Sequence, residues 1–123
     1  MRNPRLDLLT MIVFSSQSVP LGGTLTSGEI DLTGAEGYLG LYVALTGTGT
    51  ISLSYKMGIF PGYFASPPTI YSLLTGHTAA LGPLTDGKTY LWFNPPVGKY
   101  LQLIATETGG AASPVLTVHL VIA

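Results

Sequence analysis

Side chains able to do acid–base, nucleophilic or metal chemistry are few in this chain, and their spacing is poor for it. Glu29 and Asp31 lie two apart on a strand pattern and so share one face. Glycosidases hold two carboxyl groups about 5–9 Å apart across a cleft, and neighbours on one strand fit only the short end of that range. A solvated strand face accounts for this pair. His77 and His119 are distant in sequence and form neither an HxH nor an HExxH pattern. The chain has no Cys, which excludes disulfides and thiolate metal sites. No G-x-S-x-G frame singles out a serine as a nucleophile. Asp86, followed by Gly87 and Lys88, reads as a turn in which the carboxylate bonds its own backbone. The expectation is a protein that is not an enzyme and takes no metal and no cofactor.

One Gly-rich stretch, Thr46-Gly47-Thr48-Gly49, has the composition of a phosphate cradle. Such a cradle needs backbone N–H groups converging at the start of a helix after a strand. Here a strand pattern follows, and no Gly-Lys-Ser/Thr completes the motif. The stretch therefore reads as a tight hairpin between two strands, with Gly supplying positive φ.

The aromatic residues carry more information. Phe60, Tyr63, Phe64 and Tyr71 fall with His77 in a long segment near 59–87, and Met57 to Thr85 contains no Lys, Arg, Asp or Glu. Protein interfaces favour aromatic residues and shed charge, so Phe60, Tyr63, Phe64, Tyr71 and His77 are the candidate interface. Tyr90 and Trp92 share one face of the next strand, with Leu91 and Phe93 on the other. Trp92 and Phe93 fit core packing. Alternatively Tyr90, Trp92 and Asn94 form a platform on which a sugar ring could stack.

The elements that must position these residues follow a period of two. Leu39, Leu41, Val43 and Leu45 alternate with Tyr38, Gly40, Tyr42 and Ala44. Ile51, Leu53, Tyr55 and Met57 alternate with Ser52, Ser54 and Lys56. Leu101, Leu103 and Ala105 share a face, as do Leu116, Val118, Leu120 and Ile122. Turn signals separate such runs, and 16 Gly and 9 Pro in 123 residues leave no room for a long helix. About eight strands are expected, near 6–14, 23–32, 38–46, 50–58, 69–74, 88–94, 99–107 and 115–122. Many short strands with regular turns predict an all-β fold, a single antiparallel β-sandwich or jelly-roll-like barrel. It would form one domain over 1–123, with an irregular aromatic-rich insertion near 59–87.

Charged residues make up only 9% of the chain, against about 25% in typical domains. Its surface must be covered by Thr, Ser and Gly or by neighbouring molecules. A net charge of −1 offers no basic stripe for nucleic acid. The apolar runs Leu8 to Phe14 and Val115 to Ala123 are too short to span a bilayer as a helix. The N-terminus does not read as a secretion signal, because Asp7 opens its short apolar run and no A-x-A site follows. The expected partners include neither nucleic acid nor membrane.

Three stretches, "GAEGYLGLYVALTGTGTISLSYKMG", "YLWFNPPVGKYLQLIATETGG" and "PVLTVHL", resemble the small all-β structural proteins of tailed bacteriophages. The shared pattern is a Gly-Tyr-containing strand, a T-G-x-G-T hairpin, a strand ending near a Gly and a last hairpin opened by T-G-G or similar. In style it is most similar to capsid decoration (cement) proteins and minor head proteins. Many of these carry a D-G-x-x-F loop where this chain has "IFPGYFASPP", and no family binding residue is transferred. The resemblance implies a virion structural protein at the capsid surface. Its partners would be the major capsid protein and further copies of itself, as in a homotrimer. Another virion or filament building block, such as a tail or head-completion subunit, is the related alternative.

Overall fold

A computed structural model describes residues 9–32, 37–60, 63–64, 71–82, 84–95, 98–109 and 113–122, with the backbone alone at 9, 63 and 64. Among the described residues there are ten strands and no helix. They are β1 (Leu9–Ser18), β2 (Thr24–Thr26), β3 (Ile30–Asp31), β4 (Leu39–Thr46), β5 (Thr50–Phe60), β6 (Tyr63–Phe64), β7 (Tyr71–Thr78), β8 (Lys88–Phe93), β9 (Tyr100–Glu107) and β10 (Val115–Ile122).

Two antiparallel sheets stack face to face. The first runs β1-β10-β4-β8; the second runs β2-β9-β5-β6, with β3 on β9 and β7 on β5. The chain crosses between sheets at every connection except β2–β3 and the β5–β6–β7 run. Strands β2 and β3 pair with one partner, from Thr24↔Thr106 to Asp31↔Tyr100, and act as one interrupted strand. At the break Ser27 stays tied to β9: its N–H donates to the Leu103 carbonyl and its hydroxyl oxygen accepts from the Leu103 N–H, both at 2.9 Å. The result is the β-sandwich expected from the periodicity, with the interleaved strand order of a jelly roll.

The alternation places the core as the sequence requires. Leu39, Leu41, Val43 and Leu45 on β4 and Leu116, Val118, Leu120 and Ile122 on β10 are buried. Across from them lie Ile51, Leu53 and Tyr55 on β5 and Leu101, Leu103 and Ala105 on β9. Phe14 and Val19 close one side. Phe93 packs against this core from β8, its ring centroid 4.9 Å from that of Tyr55.

Three expectations change. The Thr46–Thr50 turn is not a hairpin, because β4 and β5 belong to different sheets. It is an arch that carries the chain over the end of the core, with Gly47 and Gly49 at φ 86° and 127°. The apolar faces of β4 and β5 oppose one another across the core, so each strand finds its hydrogen-bond partners elsewhere. Secondly, the segment near 59–87 is not irregular throughout. Tyr71–Thr78 forms β7 on the edge of the second sheet, longer than the strand expected at 69–74. Thirdly, β1 runs on to Ser18 through register shifts at Ile12/Phe14 and Phe14/Gln17, which broke the simple alternation that ended it at 14.

Candidate functional site

Among the described side chains, the far end of β5 carries the most exposed apolar pair on the second sheet. Gly58 is still buried, but Ile59 and Phe60 are 67% and 63% exposed. The chain folds back beyond them, with Phe60 opposite Tyr63 and Gly58 opposite Phe64, across a register shift. The side chains of Tyr63 and Phe64 lie outside the described residues.

The other two members of the expected interface point elsewhere. Tyr71 is half-buried and stacks on Tyr55, with ring centroids 5.1 Å apart and planes 23° from parallel. Burial, and next repulsion from the negative charge of an ionised Tyr71 hydroxyl beside it, push the Tyr55 hydroxyl pKa above its usual value. His77 is only 4% exposed, so it is not available to a partner. It sits directly opposite Ile51 in the β5–β7 ladder, and cross-strand partners share a face. Since Ile51 points into the core, His77 does too. Its Nε2 lies 2.9 Å from the Gly87 carbonyl oxygen, a bond that fastens the loop before β8. That carbonyl also accepts the Leu45 N–H at 3.0 Å.

A second region covers the outer face of the first sheet. Pairing sets Tyr42 opposite Tyr90, and Gly40 opposite Trp92. On the other side of β4, His119 lies opposite Tyr42, and Val121 opposite Gly40. Trp92 is 75% exposed, and Tyr38 and Tyr90 are also exposed. Phe93 takes the core position of that strand, so the core-packing reading holds for Phe93 and not for Trp92. The Tyr90 and Trp92 rings are 6.5 Å apart, centroid to centroid. Tyr90 leans across β4 so that a Cβ at residue 40 would collide with its hydroxyl. Around Gly40 a cleft of about 190 Å³ opens, lined by Tyr38, Tyr90, Trp92, Asn94, Val121 and the adjoining backbone. Tyr90, Trp92 and Asn94, the expected platform, therefore come together. Tyr38, Gly40 and Val121 complete the cleft from other strands, a relation that no spacing along β8 could reveal.

The arch end of the sandwich answers the phosphate question from the opposite direction. Glu107, at the end of β9, is 2% exposed. Its Oε1 accepts the Gly22 N–H at 2.9 Å, and its Oε2 accepts the N–H groups of Gly109 at 2.8 Å and Thr50 at 3.3 Å. Backbone donors do converge beside the Thr-Gly-Thr-Gly stretch, and the protein's own carboxylate fills the place where an anion would sit. Sequence reasoning did not single out Glu107, because an acidic residue beside Thr-Gly-Gly has the pattern of a solvated turn.

The remaining candidates are unexceptional. Glu29 and Asp31 are both exposed, with Asp31 on β3 and Glu29 just before it. Asp86 accepts the Lys88 N–H at 3.1 Å, as the turn motif predicts. Among the described residues no group of three or more His, Cys, Asp or Glu is placed to hold a metal ion.

No protein-family model matches this chain, and no curated protein matches it. Among solved structures it is similar to a chain in the structure of infectious bursal disease virus, Gx strain. The TM-score is 0.56 at 13% identity, over 94% of this chain and 31% of that one. It is also similar to dimeric latent PorU from Porphyromonas gingivalis, with a TM-score of 0.48 at 14% identity. That match covers 94% of this chain and 12% of the other. The chain thus spans a third or less of the length of these two structures. The first likeness is one of fold: this all-β sandwich is an architecture also found in a viral structure.

Proposed function

We propose that this protein is a non-enzymatic structural component of a virus particle, which binds the assembled shell of a phage capsid and stabilises it as a decoration protein. Its partners are the major capsid protein and further copies of itself, arranged as a homotrimer at the capsid surface. The observation that carries this reading is the exposed Ile59–Phe60 pair at the end of β5, inside a run without charge from Met57 to Thr85. The fold likeness to a chain of infectious bursal disease virus supports it, as does the resemblance to phage structural proteins.

The energetics suit such a role. Covering a side chain of this size stabilises a contact by about 1.5–3 kcal/mol. A standard interface buries roughly 1,600 Å² in all, most of whose gross gain is offset by ordering costs. A modest contact suffices when it is repeated over a symmetric shell, because neighbouring copies raise one another's effective concentration. With so few charges the contact is insensitive to salt.

The test is sedimentation of purified protein with assembled shells of a phage major capsid protein. Wild-type chain pellets with shells at a fixed stoichiometry. Ile59→Ser/Phe60→Ser, checked for folding by circular dichroism, stays in the supernatant. Equal pelleting of both would remove the role given to this pair, and no pelleting of either would remove the function.

A further inference from the structure

The cleft around Gly40 lies on the first sheet and has no part in the contact made by Ile59 and Phe60. We propose that it is a binding site for a single neutral sugar ring, so that the protein also recognises carbohydrate.

Residue 40 of β4 is a glycine. On a pleated sheet, Trp92 and Val121 flank Gly40 from the two neighbouring strands. Because Gly40 carries no Cβ, the Tyr90 phenol lies down against the β4 backbone, its hydroxyl in the space a side chain there would fill, and Gly40 is buried beneath it; that ring forms part of the floor of the cleft. Tyr38 and Asn94 adjoin it from just before β4 and just after β8. The lining thus combines aromatic surface with two phenol hydroxyls, an indole N–H and a carboxamide.

That combination selects a chemistry. The lining contains no charged residue, so a phosphate or an acidic peptide would find no counter-charge there. A purely aliphatic ligand would cover the polar groups without pairing them, which is costly. A pyranose has a face of C–H groups to lay on an aromatic ring and a rim of hydroxyls that both donate and accept. At about 190 Å³ the cleft is smaller than the 300 Å³ or more typical of sites for drug-sized ligands; a single ring matches it. The exposure of Trp92 fits as well, since with the exposed Tyr38 and Tyr90 around the same cleft it makes a contiguous aromatic patch, the kind that marks a binding surface. A single ring on an open cleft binds weakly. Copies repeated on a particle would make such binding effective through avidity.

Trp92 is the sole tryptophan of the chain, so intrinsic fluorescence reads this cleft directly. The probes are the methyl glycosides of glucose, galactose, mannose and N-acetylglucosamine, each titrated into the purified protein. At least one should shift or quench Trp92 emission saturably, in the millimolar range. Gly40→Ala keeps Trp92 and demands no unusual backbone, but it displaces the Tyr90 ring. It should weaken binding about tenfold, with a melting curve that remains cooperative. Asn94→Ala should weaken binding by a smaller factor. Trp92→Ala, followed by amide chemical shifts, should abolish it. Silence from all four glycosides overturns the proposal, as does binding unchanged in Trp92→Ala. Trp92 emission that responds to capsid shells but to no glycoside makes this face a protein contact and also overturns it. Sedimentation of the Ile59/Phe60 variant is a separate readout, so the two proposals fail separately.

Discussion

Replacing Glu107 by Gln tests whether one buried carboxylate holds the arch end of the sandwich together. The carboxylate joins three pieces of chain: the loop at Gly22, the start of β5 at Thr50 and the exit from β9 at Gly109. Hydrogen bonds to a charged group contribute about 1.5–3 kcal/mol each. The 3.3 Å bond to Thr50 lies at the weak end of that range. A glutamine of the same shape keeps one acceptor oxygen. Its least costly orientation retains the bonds to Gly109 and Thr50 and turns its NH₂ toward the Gly22 N–H, donor against donor. The two surviving bonds lose their charge assistance and about half their strength. Together these losses come to about 3–5 kcal/mol. With an unfolding entropy of about 2.1 cal/mol/K per residue, the 123 residues have a stability slope of about 0.26 kcal/mol per degree. The variant should therefore melt about 12–19 °C below the wild type. The assay is thermal unfolding by calorimetry at neutral pH, paired with amide exchange at Gly22, Thr50 and Gly109. A shift under about 4 °C, or unchanged protection of those three amides, would refute the reasoning.

Other consequences are checked by the same melting experiment. Gly87 has φ 75°, and a Cβ there would run into the Leu45 carbonyl and the Ala79 backbone, so Gly87→Ala should cost about 2–4 kcal/mol and expose His77 to faster exchange. His119 Nδ1 is buried without a hydrogen-bond partner among the described residues, and its ring lies 6.0 Å from that of Tyr42. His119→Phe keeps the ring contact and removes the orphan nitrogen, which should raise the melting temperature by about 4 °C, equivalent to about 1 kcal/mol. The Tyr55 pKa is raised by burial and by Tyr71 above the usual 10.0. Above that pH the unfolded chain ionises Tyr55 while the folded chain resists, so the stability this group contributes is intact below pH 10 and lost as pH rises through its folded pKa. Tyr55→Phe should flatten that alkaline decline, measured by denaturant unfolding across the range.

The core could be read from the sequence because burial imposes a period of two. Every residue on the apolar faces of 38–46, 99–107 and 115–122 lies in the core, and on β5 only Met57 is half-exposed. Sheet membership could not be read the same way. A hairpin and an arch both ask for alternating strands around Gly with positive φ, and only the partners of Leu41 and Leu53 across the ladder distinguish them. His77 was misplaced for a related reason. Register shifts in the β5–β7 ladder between Ile51 and Ser54 break the alternation of Tyr71–Thr78, so a strand pointing His77 inward looked like a loop. Trp92 and Tyr90 were placed on one face correctly by spacing alone. Their cleft depends on Gly40 and Val121, brought beside them by strand pairing rather than by proximity in the chain. Glu107 escaped notice because its partners are backbone groups, which no residue pattern records.

Whether this protein decorates a capsid is decided by the native mass of assembled capsid shells measured with and without it. A decoration protein should add a discrete mass increment, a whole number of copies per capsid, that persists in high salt and disappears with Ile59→Ser/Phe60→Ser. Shells whose mass is unchanged by folded wild-type protein would contradict it.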